Sequence, residues 1–222
     1  MAVSGRALLY TPGTVKIPEH SIGRTKFRDG ASYLLTRRTA RGARVIMSEI
    51  VDFRKAKDRY FGGDENSPLT PEQRKRFQGL QYFAENEKLQ FVIAVEEFAA
   101  DSKGEIQMAT SSGDSAPHTR WGQLKFEVGG EPVELTVYRS VGGDGYFLPF
   151  MDATTGGESY SDGRYLDLPP AGDGRLLVDF NYAYNPYCAY NPHWSCPIPP
   201  SENRLKVAID AGEKIFSDAE GH

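Results

Sequence analysis

The chain is poor in the residues that support covalent or metal frameworks, with two cysteines and four histidines among 222 residues. So few cysteines cannot build a secreted disulfide scaffold, so folding rests on a core and any bridge is a local staple. No apolar run reaches the roughly 18 residues that a membrane-spanning helix needs, and the N-terminus lacks the continuous apolar stretch of a secretory signal. A soluble, cytoplasmic protein without a membrane partner is expected. Also missing are a G-x-G-x-x-G after a strand, a G-x-x-x-x-G-K-[ST] loop, an H-E-x-x-H helix and a G-x-S-x-G elbow. Their absence argues against the common dinucleotide, kinase, zincin and α/β-hydrolase chemistries. No period of 20 to 50 residues recurs, which disfavours solenoids and propellers.

What the chain does have is turn formers, with 23 glycines and 14 prolines, and an uneven charge distribution. Residues 1 to 44 carry nine Lys/Arg against Glu19 and Asp29 alone, a net +7, whereas the remainder carries −11. A basic arm can bind nucleic acid, but this one has no dense cationic run and the acidic body would repel a polyanion, so that partner is disfavoured. Residues 1 to 44 also lack any sustained hydrophobic period and are expected to be a poorly ordered extension. Periodicity begins near Met47, which suggests Met47 as the true start. Residues 45–216 then form a single domain, followed by a tail at 217–222.

Ile46, Ile50, Phe53 and Tyr60 fall near one face of a helix running through Phe61. Thr70, Pro71 and Gln73 spell a capping box for a second, short helix, with Gly79 placed to end it. Beyond residue 90 the period changes to two. The segment FVIAVEEF is a buried strand candidate. Leu124, Phe126 and Val128 share one face, as do Val133, Leu135 and Val137, and a two-residue turn at Gly129 and Gly130 pairs Phe126 with Val133 and Leu124 with Leu135. Further strands are expected at Tyr146–Met151, Arg164–Leu168, Leu176–Tyr182 and Leu205–Ile209. The fold class is mainly β (α+β), an antiparallel barrel or sandwich with one or two N-terminal helices packed outside.

Chemistry-bearing residues concentrate toward the C-terminus. If the strands RYLDL and LLVDFNY pair as a hairpin with their apolar sets together, Tyr165 lies across from Asp179, and Tyr165, Asp167, Asp179 and Asn181 share one polar face. Two carboxylates with an amide and a phenol could bind a polar ligand, hold a hard cation or act as acid and base. An ordinary solvated sheet face is the simpler explanation of them. Cys188, His193 and Cys196 follow, spaced C-x4-H-x2-C. They could ligate zinc or copper if Asp179, Glu202 or His118 supplied a fourth ligand. They could also be a short disulfide, a Cys188–His193 nucleophile and base, or two buried free thiols, the commonest state for such residues. Pro186, Pro192, Pro197, Pro199 and Pro200 rule out a central strand here and imply a rigid wrapping loop, its aromatics anchoring it or lining a pocket.

The motifs KDRYF, SPLTPEQRKRF-x-GL-x-YF, LPFMDATTGGESY, GRYLDLP, DFNYAYNPYCAY and SCPIPPSENRLKVAIDAGEK resemble the bacterial and archaeal domain of unknown function 1684 (DUF1684), over about residues 47 to 216. The resemblance implies no known activity or cofactor. It groups Asp152, Thr154, Glu158 and Tyr160 with Arg164, Tyr165 and Asp167 and with the Asp179 to Asn203 segment. It places His193 where other residues are usual, which counts against histidine-dependent metal or nucleophile chemistry.

The expected function is small-polar-ligand binding between the polar sheet face and the Pro/Tyr-rich loop, using Tyr165, Asp167, Asp179, Asn181, Tyr184, Asn185, Glu202 and Asn203. The alternatives are an enzyme using Glu158, Asp167 and Asp179 as metal ligands or acid and base, and a structural or interaction module. Oligomeric state is left open.

Overall fold

In the computed structural model, residues 40–141, 143 and 145–218 are described, with side chains in the first helix from Glu49 onward. Residues 1–39 of the basic extension fall outside the described residues, and its last five, 40–44, belong to the first helix. Helix α1 (Ala40–Gly63) leads into the short helix α2 (Pro71–Arg76). Nine antiparallel strands follow: β1 (Gln90–Ala94), β2 (Glu96–Glu97), β3 (Glu105–Ala109), β4 (Ser115–Val128), β5 (Glu131–Ser140), β6 (Tyr146–Phe150), β7 (Arg164–Leu168), β8 (Pro170–Gly172) and β9 (Arg175–Asp179). They form two open sheets rather than a closed barrel: a small one ordered β1-β9-β8, and a large one ordered β2-β4-β5-β6-β7 with β3 also on β4. The arrangement is sandwich-like.

Strand alternation builds two cores. Val137, Leu148 and Leu166 of the large sheet face the small sheet, joining Leu89, Leu176, Val178 and Phe180 in one apolar cluster. Their sequence neighbours Tyr138, Phe147 and Tyr165 point the other way, into a second cluster with Phe61 of α1, Met108, Tyr160, Cys188, Tyr190 and Cys196. The middle of the large sheet is thus buried on both faces, and the Pro/Tyr-rich loop with α1 forms a third layer.

The Gly129–Gly130 hairpin forms in the expected register, with Leu124 opposite Leu135 and Phe126 opposite Val133. Both glycines adopt the positive φ that such a turn requires. The capping box also forms: Gln73 N–H donates to Thr70 Oγ1 at 3.3 Å and Thr70 N–H to Gln73 Oε1 at 2.8 Å. Gln73 does more than cap. It is fully buried, and its amide donates to the backbone carbonyls of Tyr190 and Asp218, tying α2 to the loop and to the start of the C-terminal tail.

Five expectations need correction. Helix α2 ends at Arg76, before Gly79, and the strand expected over Leu176–Tyr182 stops at Asp179, where the chain turns into a short 3-10 helix. The strand over FVIAVEEF breaks at Val95, where the chain passes from the small sheet to the large one. Leu205–Ile209 is not a strand. It runs beside the Asp152–Ser159 turn through isolated contacts such as Leu205 N–H to Met151 O, and Ile209 gives its carbonyl to a buried arginine instead of a ladder. The RYLDL and LLVDFNY strands do not pair either: β7 pairs with β6 and β9 with β1. Each follows the core facing it, since all four strands carry apolar residues at period two and local pattern does not choose among partners.

Candidate functional site

Because β7 and β9 belong to different sheets, the predicted polar face is divided. Tyr165 is buried, edge-on to Phe147 and Tyr184, and its hydroxyl donates to the carbonyl of Pro197. Asp179 Oδ1 accepts from the backbone and side chain of Asn181 at 3.0 and 2.9 Å, and Oδ2 accepts from Gln90 Nε2 at 2.8 Å. Asn181 in turn clasps the backbone of Asn86, accepting at 2.8 Å and donating at 3.1 Å. Asp179 and Asn181 are both buried, so they stitch the loop before β1 onto the end of β9. Buried polar groups need such partners, and these have them.

The remaining predicted residues have separate roles. Asn203 is fully buried and bridges β5 and β6: its amide donates to Thr136 O and Pro149 O, both at 2.8 Å, and its oxygen accepts from Thr136 N–H. Glu202 accepts a two-pronged contact from Arg120, at 3.0 and 2.7 Å, plus the Tyr138 hydroxyl. The hydrogen bond from Arg120 holds its carboxyl below the usual range, and burial followed by Glu202 raises the Tyr138 phenol. Glu158 forms an exposed pair with Lys214. Asp167 is exposed as a residue, yet crowding around its carboxyl raises its proton affinity, opposed by the Tyr184 hydroxyl at 3.3 Å and by nearby Lys57.

Cys188 and Cys196 come together as buried thiols not joined by a disulfide, but His193 turns outward and engages Asn191 Oδ1 through Nδ1 at 2.6 Å. Asp179 and Glu202 are committed elsewhere, and His118 is buried with Nδ1 on Ala116 O. Among the described residues no group of three or more His, Cys, Asp or Glu side chains could hold a metal ion.

The densest buried charge lies where sequence reasoning did not look. Glu213, 1 % exposed, pairs with Lys57 of α1 and accepts from Asn185 N–H at 2.8 Å and the Tyr190 hydroxyl at 2.6 Å. Burial, then Glu213, raises the Tyr190 and Tyr82 phenols well above their ordinary value. The fully buried Arg164 donates to Asp152 Oδ2 at 2.8 Å and to the carbonyls of Ile209, Ala211 and Glu213. Both networks hold the C-terminal segment against the body. The available signals were the acids Asp210 and Glu213 set among apolar residues in AIDAGEKIF and the family pattern that groups Asp152 with Arg164.

A cleft of about 180 Å³ opens between the two sheets at an edge remote from these networks. It is lined by Val95, Glu97, Trp121, Tyr146, Arg175 and Leu176 with the β8 turn. Trp121 lies edge-on to Tyr146, and Lys103 and Arg139 stand 3.9 and 4.6 Å from its ring centre. Arg175 reaches Asp173 at 3.2 Å in an exposed pair.

The family model "Protein of unknown function (DUF1684)" matches residues 75–214. The chain belongs to this family. This DUF1684 protein is similar to an uncharacterised protein of Haloarcula marismortui whose solution NMR structure is known, with 33% identity, 79% of this chain and 97% of that chain covered, and a TM-score of 0.61. No curated protein matches. No described helix of the DUF1684 chain is long and apolar enough to cross a membrane.

Proposed function

We propose that this protein binds a small ligand with a flat apolar body and an anionic group, in the cleft between the two sheets. The observation that carries this is the lining: two aromatic rings, Trp121 and Tyr146, next to Arg175, with Lys103 and Arg139 over the indole. Aromatic walls with a few placed polar groups are the usual composition of small-molecule sites. The volume corresponds to about six waters' share of liquid, so the ligand is of single-ring size. Three cations against two carboxylates, Glu97 paired with Lys103 at 2.6 Å and Asp173 paired with Arg175, leave the edge net positive and favour an anion. Arg175 is partly exposed and paired only with exposed Asp173, so exchanging that partner for a ligand carboxylate costs little.

This location is preferred to the Asp167–Asp179 region because the polar atoms of Asp179, Asn181 and Asn203 are already engaged within the protein. A ligand there would have to break buried hydrogen bonds.

The test is a ¹⁵N-resolved NMR titration of the full chain with benzoate and related single-ring carboxylates, using benzylamine as the charge-reversed control. Saturable shifts at the Trp121 indole N–H with benzoate are expected. They should be absent with benzylamine and in Trp121→Leu and Arg175→Gln variants of unchanged circular dichroism. No saturable shift at Trp121 with any carboxylate up to millimolar concentration would refute the proposal.

A second reading, acid/base catalysis, draws on Asp167, whose proton affinity is raised by burial of its carboxyl, as suits a proton donor. A carboxyl of Asp167 that titrates by NMR at the unperturbed aspartate position would remove it.

A further inference from the structure

Cys188 and Cys196 are separated by seven residues, and the Asn191-Pro192 turn brings them back together inside the second core. Neither is in a disulfide and both are buried. The backbone N–H of Cys188 donates to Cys196 Sγ at 3.3 Å, and the two side chains hydrogen-bond to each other. Around Cys188 Sγ stand the Tyr160 hydroxyl, at 3.8 Å, and the Ser111 side chain. These donors stabilise a thiolate on Cys188, with the Cys196 side chain as the largest contributor, and they lower its proton affinity to about 7. Cys196, as donor, is shifted the opposite way.

Two features separate this arrangement from thiols that are merely buried. The Cys188 backbone N–H on Cys196 Sγ sets the two side chains in one pocket, where one sulfur can attack a mixed disulfide on the other, and the Tyr160 hydroxyl donates to Cys188 Sγ. In addition, the chain between them is held at its far end by a polar cluster on the surface. Cys196 N–H donates to Ser111 Oγ at 3.1 Å, Ser111 N–H to Cys196 O at 2.9 Å, and Ser195 contacts Thr110 and Asp114. Pro192, His193 and Ser195 are exposed. Local opening of this short outer segment would admit a small oxidant without disturbing either sheet.

We propose that Cys188 and Cys196 form a reversible intramolecular disulfide, with Cys188 attacking and Cys196 resolving, driven by exchange with a low-molecular-weight disulfide. The Cys188 thiolate attacks one sulfur of the small disulfide, whose S–S bond breaks to release one thiolate and leave a mixed disulfide. Cys196 then gives its proton to that released thiolate and attacks Cys188 Sγ, expelling the second small thiolate, which takes up the proton originally lost by Cys188. Two protein thiols are oxidised by two electrons, and one small disulfide is reduced to two thiols. The product staples residues 188–196 and fixes the loop on the β3–β4 turn.

The experiment equilibrates the full chain with oxidised glutathione, blocks remaining thiols with iodoacetamide and cleaves with chymotrypsin, which cuts after Tyr190 between the two cysteines. A folded monomer yielding a Cys188–Cys196 cross-linked peptide, reversed by dithiothreitol, is expected. Oxidation should raise Tm by roughly 5–10 °C, because the bridge removes loop entropy from the unfolded chain. It should also change the emission of Trp194, which packs 5.1 Å from Tyr187. Cys196→Ser should stop at a stable glutathione adduct on Cys188, whereas Cys188→Ser should leave Cys196 unmodified. Wild-type protein that keeps both thiols free until unfolded by urea would overturn the proposal, as would one giving only glutathione adducts or intermolecular dimers. That measurement does not depend on the variants folding.

Discussion

Replacing Arg164 with methionine tests whether one buried guanidinium holds the C-terminal segment in place. The side chain is inaccessible to solvent, as is its partner Asp152, and it lies between the rings of Phe83 and Phe150 at 5.5 and 5.3 Å. It makes four hydrogen bonds, to Asp152 Oδ2, Ile209 O, Ala211 O and Glu213 O, while its Nε–H has no acceptor. Methionine keeps part of the apolar stem and removes all four donors. Leaving one partner of a buried ion pair uncompensated costs about 3–5 kcal/mol. Three carbonyls also lose a charged donor, at about 1 kcal/mol or more each when water cannot replace it. These terms overlap, so about 5 kcal/mol is expected, enough to consume most of the stability of a domain at the low end of the usual 5–15 kcal/mol range.

Urea unfolding followed by circular dichroism measures the loss, and native-state hydrogen exchange at residues 209–213 shows whether this segment is released first. The double variant Asp152→Asn with Arg164→Met separates the terms. It removes the stranded anion while retaining an acceptor for the N–H groups of Thr154 and Ile209, at 2.8 and 3.2 Å from Asp152 Oδ1 in the native protein. It should therefore be about 1–3 kcal/mol more stable than Arg164→Met alone. A loss below about 1 kcal/mol for Arg164→Met, or a double variant no more stable than the single one, would refute the reasoning.

Tyr190→Phe deletes the hydroxyl 2.6 Å from Glu213 Oε2 and should cost about 1.5–3 kcal/mol, the range for hydrogen bonds to charged groups, again read by urea unfolding. Gly212 has φ +77°, and a Cβ there would lie 2.5 Å from Ala183 O, so Gly212→Ala should lose at least about 1–2 kcal/mol and lower Tm by several degrees. Glu202 is held below its ordinary proton affinity by Arg120, so its contribution is present above the unfolded value and disappears as pH falls through the lower folded value. Stability measured between about pH 5 and 3 should therefore fall less steeply in Glu202→Gln than in wild type. The difference should stay within about 1 kcal/mol because the pair is about one-third exposed.

Much of the architecture was legible because short-range rules decide it. The Gly129–Gly130 turn and the alternation on either side admit one register that keeps Leu124, Phe126, Val133 and Leu135 on a common face, and that register forms. Thr70 and Gln73 cap a helix through bonds three residues apart, which depend on nothing distant. Strand β7 was bounded correctly for the same reason. Its partner was not. RYLDL alternates as well against β6 as against β9, and only the presence of two apolar layers, one on each face of the large sheet, distributes Leu166 and Tyr165 to opposite cores.

The candidate site was less legible, because a polar side chain in a sequence does not reveal who satisfies it. Asp179, Asn181 and Asn203 look like a ligand-binding set when only their types are known, yet their partners Gln90, Asn86 and Thr136 lie 89, 95 and 67 residues away. Lys57 and Glu213 are 156 residues apart, and nothing local marks them as a pair. The sequence by itself determined the Gly129–Gly130 hairpin, the Thr70 capping box and the apolar alternation, all of which follow from backbone geometry and residue spacing. Tertiary structure alone decided which acids are buried, which thiols meet and where a cleft remains open, because burial and pairing depend on contacts between segments that no local pattern encodes.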